Sequence, residues 1–240
     1  MRRALSFLTP FGPSAVPSRT TLGWFPVVGA AVGLGVGGAW WVAGRLWPPL
    51  VAGAVAVVAD GALTGFLHLD GLADAADGLL PPLARDRRLE AMADVAVGAF
   101  GVCAVGCVLV VRFGAFASMR AVPLAVAALW CLSRTAMAVT AEVVPYVRPA
   151  GLASAFVGEP GAADPLRDGV VAVVGVVLVA GLTLASGQWR TAAAAAIAAV
   201  AFAGVVAFAW RRIGGFTGDV LGAAGVVAET AGLLALAAKW

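Results

Sequence analysis

Long apolar runs, separated by short clusters of glycine, proline and charge, recur along almost the whole 240-residue chain. A hydrocarbon core of about 30 Å takes roughly 20 helical residues to cross. Seven stretches meet or approach that length: 25–46, 50–68, 96–112, 121–141, 169–187, 191–209 and 222–238. They are rich in Ala, Val and Gly and do not alternate, so helices that satisfy their own backbone are expected instead of the period-two strands of a closed barrel. The pattern predicts an all-α fold: a polytopic transmembrane helical bundle of about seven spans, one integral-membrane domain over 1–240. On the first span, Gly29, Gly33 and Gly37 repeat every four residues, which lets another helix approach its backbone closely.

Composition agrees with the pattern, since 62% hydrophobic against 12% charged residues cannot cover a soluble globule of this size with polar surface. Charge adds the orientation. With a cytoplasmic N-terminus, the inside segments collect Arg2, Arg3, Arg19, Arg85, Arg87, Arg88, Arg148, Arg167, Arg211 and Arg212. The outside keeps Arg45, Arg112, Arg120, Arg190 and Lys239, a bias that follows the positive-inside rule and places the protein in the inner (cytoplasmic) membrane. The net charge of +3 thus reflects topology, not nucleic-acid binding. Pro10 and Pro13 interrupt the short apolar piece after Arg2 and Arg3, so no cleaved leader is expected. Trp24, Trp47, Trp130, Trp189 and Trp240 read as interfacial anchors.

The acids are more lopsided than the bases. Asp60, Glu142 and Glu229 sit in or at the ends of spans, with Asp60 and Arg134 as one conceivable buried pair. Asp70, Asp74, Asp77, Asp86, Glu90, Asp94, Glu159, Asp164, Asp168 and Asp219 all fall in segments expected on the cytoplasmic side, which is where the chemistry should lie. Cys103, Cys107 and Cys131 lie in apolar runs and the chain has a single His, too few donors for a four-ligand zinc site.

The densest polar pattern runs from Phe66 to Gly78, where Asp70, Asp74 and Asp77 are spaced i, i+4, i+7. A helix stacks all three on one face, and like charges so placed repel unless a cation or protons neutralise them. Carboxylates with little nitrogen or sulfur nearby suit Mg²⁺, whose shell is usually completed by water and substrate phosphates. His68, next to this ladder, reads equally as ligand, base, substrate contact or structural hydrogen-bonding group. A second cluster, Arg211-Arg212-Ile213-Gly214-Gly215-Phe216-Thr217-Gly218-Asp219, offers a turn whose N–H groups at Gly214, Gly215, Thr217 and Gly218 suit phosphate, with Asp219 as a further carboxylate for the same metal.

These residues carry a resemblance. His68-Leu69-Asp70-Gly71-Leu72-Ala73-Asp74 with Asp77-Gly78, continued by Arg87-Arg88-Leu89-Glu90, Met92, Asp94, Gly98, Phe100 and Gly101, resembles the signature of the cobalamin synthases, the adenosylcobinamide-GDP ribazoletransferases. Leu132-Ser133-Arg134, Pro145-Tyr146, Arg148-Pro149, Gly151-Leu152, Gly214-Gly215, Thr217-Gly218-Asp219, Gly222-Ala223 and Glu229 are similar to the later motifs in the same order. Two departures stand out: Val95-Ala96-Val97 where the family commonly has Ser and Arg, and Pro81-Pro82 in place of a glycine-rich loop.

The resemblance implies a membrane enzyme that joins adenosylcobinamide-GDP to α-ribazole, or its 5′-phosphate, with Mg²⁺ as cofactor and GMP as leaving product. It assigns the metal to Asp70, Asp74 and Asp77 with Asp94 or Asp219, and phosphate clamping to Arg88, Arg134 and Arg148. A ribazole 5′-oxygen would attack, with an Asp or His68 accepting its proton. The lipid bilayer is the expected surrounding, no nucleic acid is expected, and a homo-oligomer is allowed. The competing class is an ion-coupled membrane transporter using Asp60, Glu142 and Glu229.

Overall fold

The computed structural model describes residues 1–12, 18–148, 151, 154, 156 and 165–239, with 165–168 as backbone only. Glu159 and Asp164, and the side chains of Arg167 and Asp168, therefore lie outside the described residues. Among the described residues ten α-helices follow one another: α1 (Arg2–Leu8), α2 (Phe25–Leu46), α3 (Pro49–Thr64), α4 (Leu67–Leu79), α5 (Arg85–Ala91), α6 (Ala99–Ser118), α7 (Pro123–Val143), α8 (Pro165–Ala185), α9 (Trp189–Ile213) and α10 (Gly218–Ala237). A 3₁₀ turn, Arg19–Trp24, leads into α2. Among the described residues the only β-type pairing is an isolated bridge between Tyr146 and Phe216.

Five helical segments are long and apolar enough to cross a membrane: Arg19–Leu46, α6, α7, α9 and α10. The helix pair α3 and α4 makes a sixth if counted as one broken span, and the described apolar part of α8, Gly169–Ala185, is shorter. The stretch expected as one span at 50–68 instead ends at Thr64 and turns by 89° into α4. Two successive left-handed residues make the corner, Gly65 (φ 58°) and Phe66 (φ 59°). The Phe66 ring then lies over Gly61, where a Cβ would collide with it. The bend turns α4, the helix that carries the aspartates, out of the line of α3.

Packing centres on α7, which is mostly buried and touches α2, α8, α9 and α10. The glycine series on α2 makes that contact close: a Cβ at Gly33 would lie 2.7 Å from Ala127 Cα and 2.8 Å from Trp130 Cβ. Gly33→Leu should therefore force the two helices apart, at about 1–3 kcal/mol for overpacking. A lowered melting temperature in detergent is the expected reading, and an unchanged one would show that α2 can be displaced freely.

Charge holds the middle of the bundle. Arg112 of α6 pairs with Asp60 of α3 and, at 2.8 Å, with Glu229 of α10. Glu229 also pairs at 2.6 Å with Arg134 of α7, and Ser133 donates to it. Trp130 Nε1 donates to Asp60 at 2.9 Å. All six side chains are buried. Two cations and two anions close the set, so each charge that left water has a partner.

This network corrects three expectations. Arg112 is not in an outside loop, because α6 runs from Ala99 to Ser118 and encloses it. A charge usually ends an apolar run, but here Asp60 and Glu229 compensate it. Asp60 takes Arg112 as its cation, not Arg134. Trp130 is fully buried, so it is no interfacial anchor.

Candidate active site

Small residues bring α4 against the start of α10. A Cβ at Gly71 would lie 3.1 Å from Asp219 Cα, and one at Gly222 would lie 3.4 Å from His68 Cα. Helix α10 begins where Gly214, left-handed at φ 82°, ends α9, and where the Thr217 hydroxyl accepts from Val220 N. The segment between is tied to the chain after α7: Phe216 N donates to the Pro145 carbonyl, and Val147 N donates to the Phe216 carbonyl. This pairing carries Arg148 to Asp219, with Nη1 and Oδ2 2.9 Å apart.

A cleft opens at this junction, with two unlike sets of lining side chains. One is polar, His68, Asp70, Tyr146, Arg148 and Asp219; the other is apolar, Phe7, Leu8, Leu22, Phe25 and Phe156, whose three rings pack on one another. The second Arg148 terminal nitrogen, Nη2, is buried and has no hydrogen-bond partner among the described residues. An unsatisfied buried donor is costly, and an anionic oxygen arriving in the cleft would satisfy it.

Asp70 is exposed on this face, and Asp74, one turn further along α4, is half-buried. Partial burial, then the neighbouring carboxylates Asp219 and Asp70, push Asp74 up to about 6, against the lowering influence of Arg148. Such repulsion between hard oxygen ligands is the situation a divalent cation relieves. Among the described residues no three His, Cys, Asp or Glu side chains already converge as a ligand set. Two carboxylates, Asp70 and Asp219, do line the cleft, a donor set of the kind Mg²⁺ takes when water and substrate phosphates complete its shell.

Several residues singled out by their spacing do other work. Asp77 accepts from Gly98 N at 2.7 Å and Gly101 N at 2.9 Å, so its carboxylate caps the first turn of α6. Asp94 is exposed and accepts from Ala96 N, forming a local turn away from the cleft lining. Arg88 is buried and donates through Nη1 to the carbonyls of Gly78, Leu79 and Pro81, tying off the end of α4. Arg134 is held by Glu229 and Ser133, and its Nη2 lies 3.4 Å from His68 Nδ1. Of the glycine-rich turn, Gly218 alone lines the cleft: Gly214 ends α9, Gly215 packs on the Pro145 carbonyl with no room for a Cβ, and Thr217 is fully buried as a cap.

The lining also holds residues that sequence reasoning passed over. Phe7, Phe25 and Phe156 come from three separated parts of the chain, and in so apolar a sequence an aromatic residue carries no signal of its own. Tyr146, the only tyrosine, was visible only as part of a motif.

Comparison with known proteins bears on the whole length. Residues 1–237 match the family described as cobalamin-5-phosphate synthase. Among similar proteins, the adenosylcobinamide-GDP ribazoletransferase of Bradyrhizobium diazoefficiens is 35% identical, covering 99% of this chain and 93% of the relative. That of Chlorobaculum tepidum is 36% identical over the same shares. A third, from Desulfitobacterium hafniense, is 39% identical over 52% of this chain and 53% of its own. No solved structure matches significantly. With agreement running through every helix that builds the cleft, the chain belongs to the cobalamin-5-phosphate synthase family.

Proposed function

We propose that this chain is an adenosylcobinamide-GDP ribazoletransferase, as its relatives are named. It moves the cobinamide-phosphate moiety of adenosylcobinamide-GDP to α-ribazole or its 5′-phosphate and releases GMP, at the cytoplasmic face of the inner membrane. The observation that carries the site assignment is the crossing of α4 on α10, which brings Asp70, Asp219 and Arg148 to one cleft, with Asp74 one helical turn further along and within electrostatic reach of all three.

The chemistry is displacement at phosphorus, in which positioning and charge neutralisation supply most of the catalysis. The acceptor oxygen bonds to the corrinoid-linked phosphorus, the bond from that phosphorus to the oxygen bridging to GMP breaks, and the acceptor's proton passes to a base. A cobalamin 5-phosphate product keeps its 5′-phosphate, so the attacking oxygen is a ribose ring hydroxyl and not the 5′-oxygen. Arg148 Nη2 donates to a phosphate oxygen. Asp74, raised to about 6 and ionised at neutral pH, is placed to take the proton.

His68 is unsuited to that role. Arginine only donates, so Nδ1 facing Arg134 is an acceptor and the neutral ring carries its proton on Nε2. His68 thus offers a hydrogen-bond donor to the cleft, with Arg134 as its positioning residue. Mg²⁺, held through Asp70 and Asp219 with water and substrate phosphates completing its shell, would neutralise the pyrophosphate charge. The transporter alternative loses its ion pathway, since Asp60 and Glu229 share Arg112 and Arg134, and Glu142 pairs with Arg19.

The test is purified protein in lipid nanodiscs with adenosylcobinamide-GDP, α-ribazole and Mg²⁺, followed by chromatography. GMP and joined product should appear in equal amounts, and intact protein that releases no GMP would remove the proposal. Arg148→Ala should lower kcat/KM about 10- to 100-fold, the worth of one hydrogen bond to a charged group.

A further inference from the structure

The lining of the cleft divides into two unlike sets of side chains. The rings of Phe7 and Phe156 meet edge to face with centroids 4.9 Å apart, those of Phe25 and Phe156 likewise at 5.6 Å, and those of Phe7 and Phe25 stack at 6.1 Å. Leu8 and Leu22 complete the wall. None of these five side chains has a hydrogen-bond donor or acceptor. The charged groups of the cleft, with the orphaned Arg148 nitrogen, gather instead where α4 crosses the start of α10 and Arg148 meets Asp219.

We propose that the wall of Phe7, Phe25 and Phe156 seats the base of the acceptor nucleoside, and that it admits a flat aromatic base without hydrogen-bonding substituents while rejecting a purine. The inference rests on the ribazole-transfer reading above. Two aromatic groups compete for such a wall: the guanine of the activated corrinoid and the benzimidazole of ribazole. Guanine carries a carbonyl, an amino group and ring nitrogens along its edge, and burying that edge against phenylalanine and leucine leaves those groups without the partners they had in water. A benzimidazole presents mainly carbon at its edge and a π face on which rings pack favourably. Seated there, its sugar points to the polar groups, where Asp70, Asp219 and Arg148 line the cleft and Asp74 stands one turn further along α4. Guanine and the corrin ring remain off the apolar wall.

Steady-state kinetics with both substrates varied give the test, on the wild type and on Phe7→Leu and Phe25→Leu. Phe7 is only half-buried, so its variant keeps the experiment readable if Phe25→Leu folds poorly. The expected result is a KM for α-ribazole raised about threefold to tenfold, the worth of an aromatic contact, with the KM for adenosylcobinamide-GDP unchanged. Leu22→Asn should narrow the preference for α-ribazole over the α-nucleoside of adenine. A rise confined to the KM for adenosylcobinamide-GDP would place guanine on the wall and overturn the inference, and so would unchanged KM values in an enzyme that still releases GMP. Direct binding separates the two readings. If wild-type protein released no GMP, a Kd for α-ribazole weakened severalfold by Phe7→Leu would still support the wall, whereas an unaltered Kd would refute it.

Discussion

Replacing Glu229 with leucine is expected to be among the most damaging single changes in the chain. Glu229 accepts from Arg112, Ser133 and Arg134, all buried. Its loss leaves two buried arginines facing the single carboxylate of Asp60. Breaking a buried ion pair in this way costs about 3–5 kcal/mol, so the variant should melt well below the wild type in detergent, or fail to accumulate. Adding Arg134→Met restores neutrality and should recover part of the stability. Activity should not return with it, because His68 has then lost the guanidinium that fixes its ring. Equal melting temperatures for the Glu229→Leu variant and the wild type would show that water or lipid phosphate satisfies these arginines instead.

Asp74→Asn should have the opposite pair of effects: turnover falls to background while the resting protein gains stability. Asp74 is raised to about 6 by partial burial and by Asp219 and Asp70, so its charge opposes folding. For an acid whose folded value is raised from 3.8, the native state binds more protons than the unfolded one between about pH 4 and 6, and wild-type stability falls across that window. Asparagine removes the fall. In EDTA, the melting-temperature advantage of Asp74→Asn should therefore grow from pH 4 to pH 6 and stay level above it. Mg²⁺ should then raise the wild type more than the variant. An advantage independent of pH would show that Asp74 does not carry the repulsion, and retained turnover would show that it is dispensable to the reaction.

How far the chain could be read beforehand depends on whether local chemistry or tertiary compensation decided a feature. Helix α2 runs over the predicted 25–46 because its one charge, Arg45, falls in the last turn and Pro26 suits a first turn. Helix α6 was cut short at Arg112, since nothing nearby in sequence announces that its partners lie on α3 and α10. The corner at Gly65 and Phe66 was missed because the apolar run continues through it. Asp70, Asp74, Asp219 and Arg148 stand out from their spacing and motif order; Asp70, Asp219 and Arg148 line the cleft, and Asp74 lies one turn along α4, close enough to feel all three. Asp77 stood out for the same reason, yet regular spacing cannot tell a carboxylate that waits for a ligand from one that caps the next helix. Arg88 and Arg134 were visible as conspicuous charges, but what consumes them is carbonyls and Glu229, contacts that form only on folding.

The charged knot inside the bundle also carries an order of events. Its members emerge from synthesis as Asp60, Arg112, Arg134 and then Glu229, on four different helices. A nascent chain that has inserted through α7 holds two guanidiniums and one carboxylate, and stays unsettled through α8 and α9 until the last helix arrives. The set is therefore neutral only once α10 is in place, and a chain ending before residue 218 would carry one guanidinium more than it has carboxylates to meet.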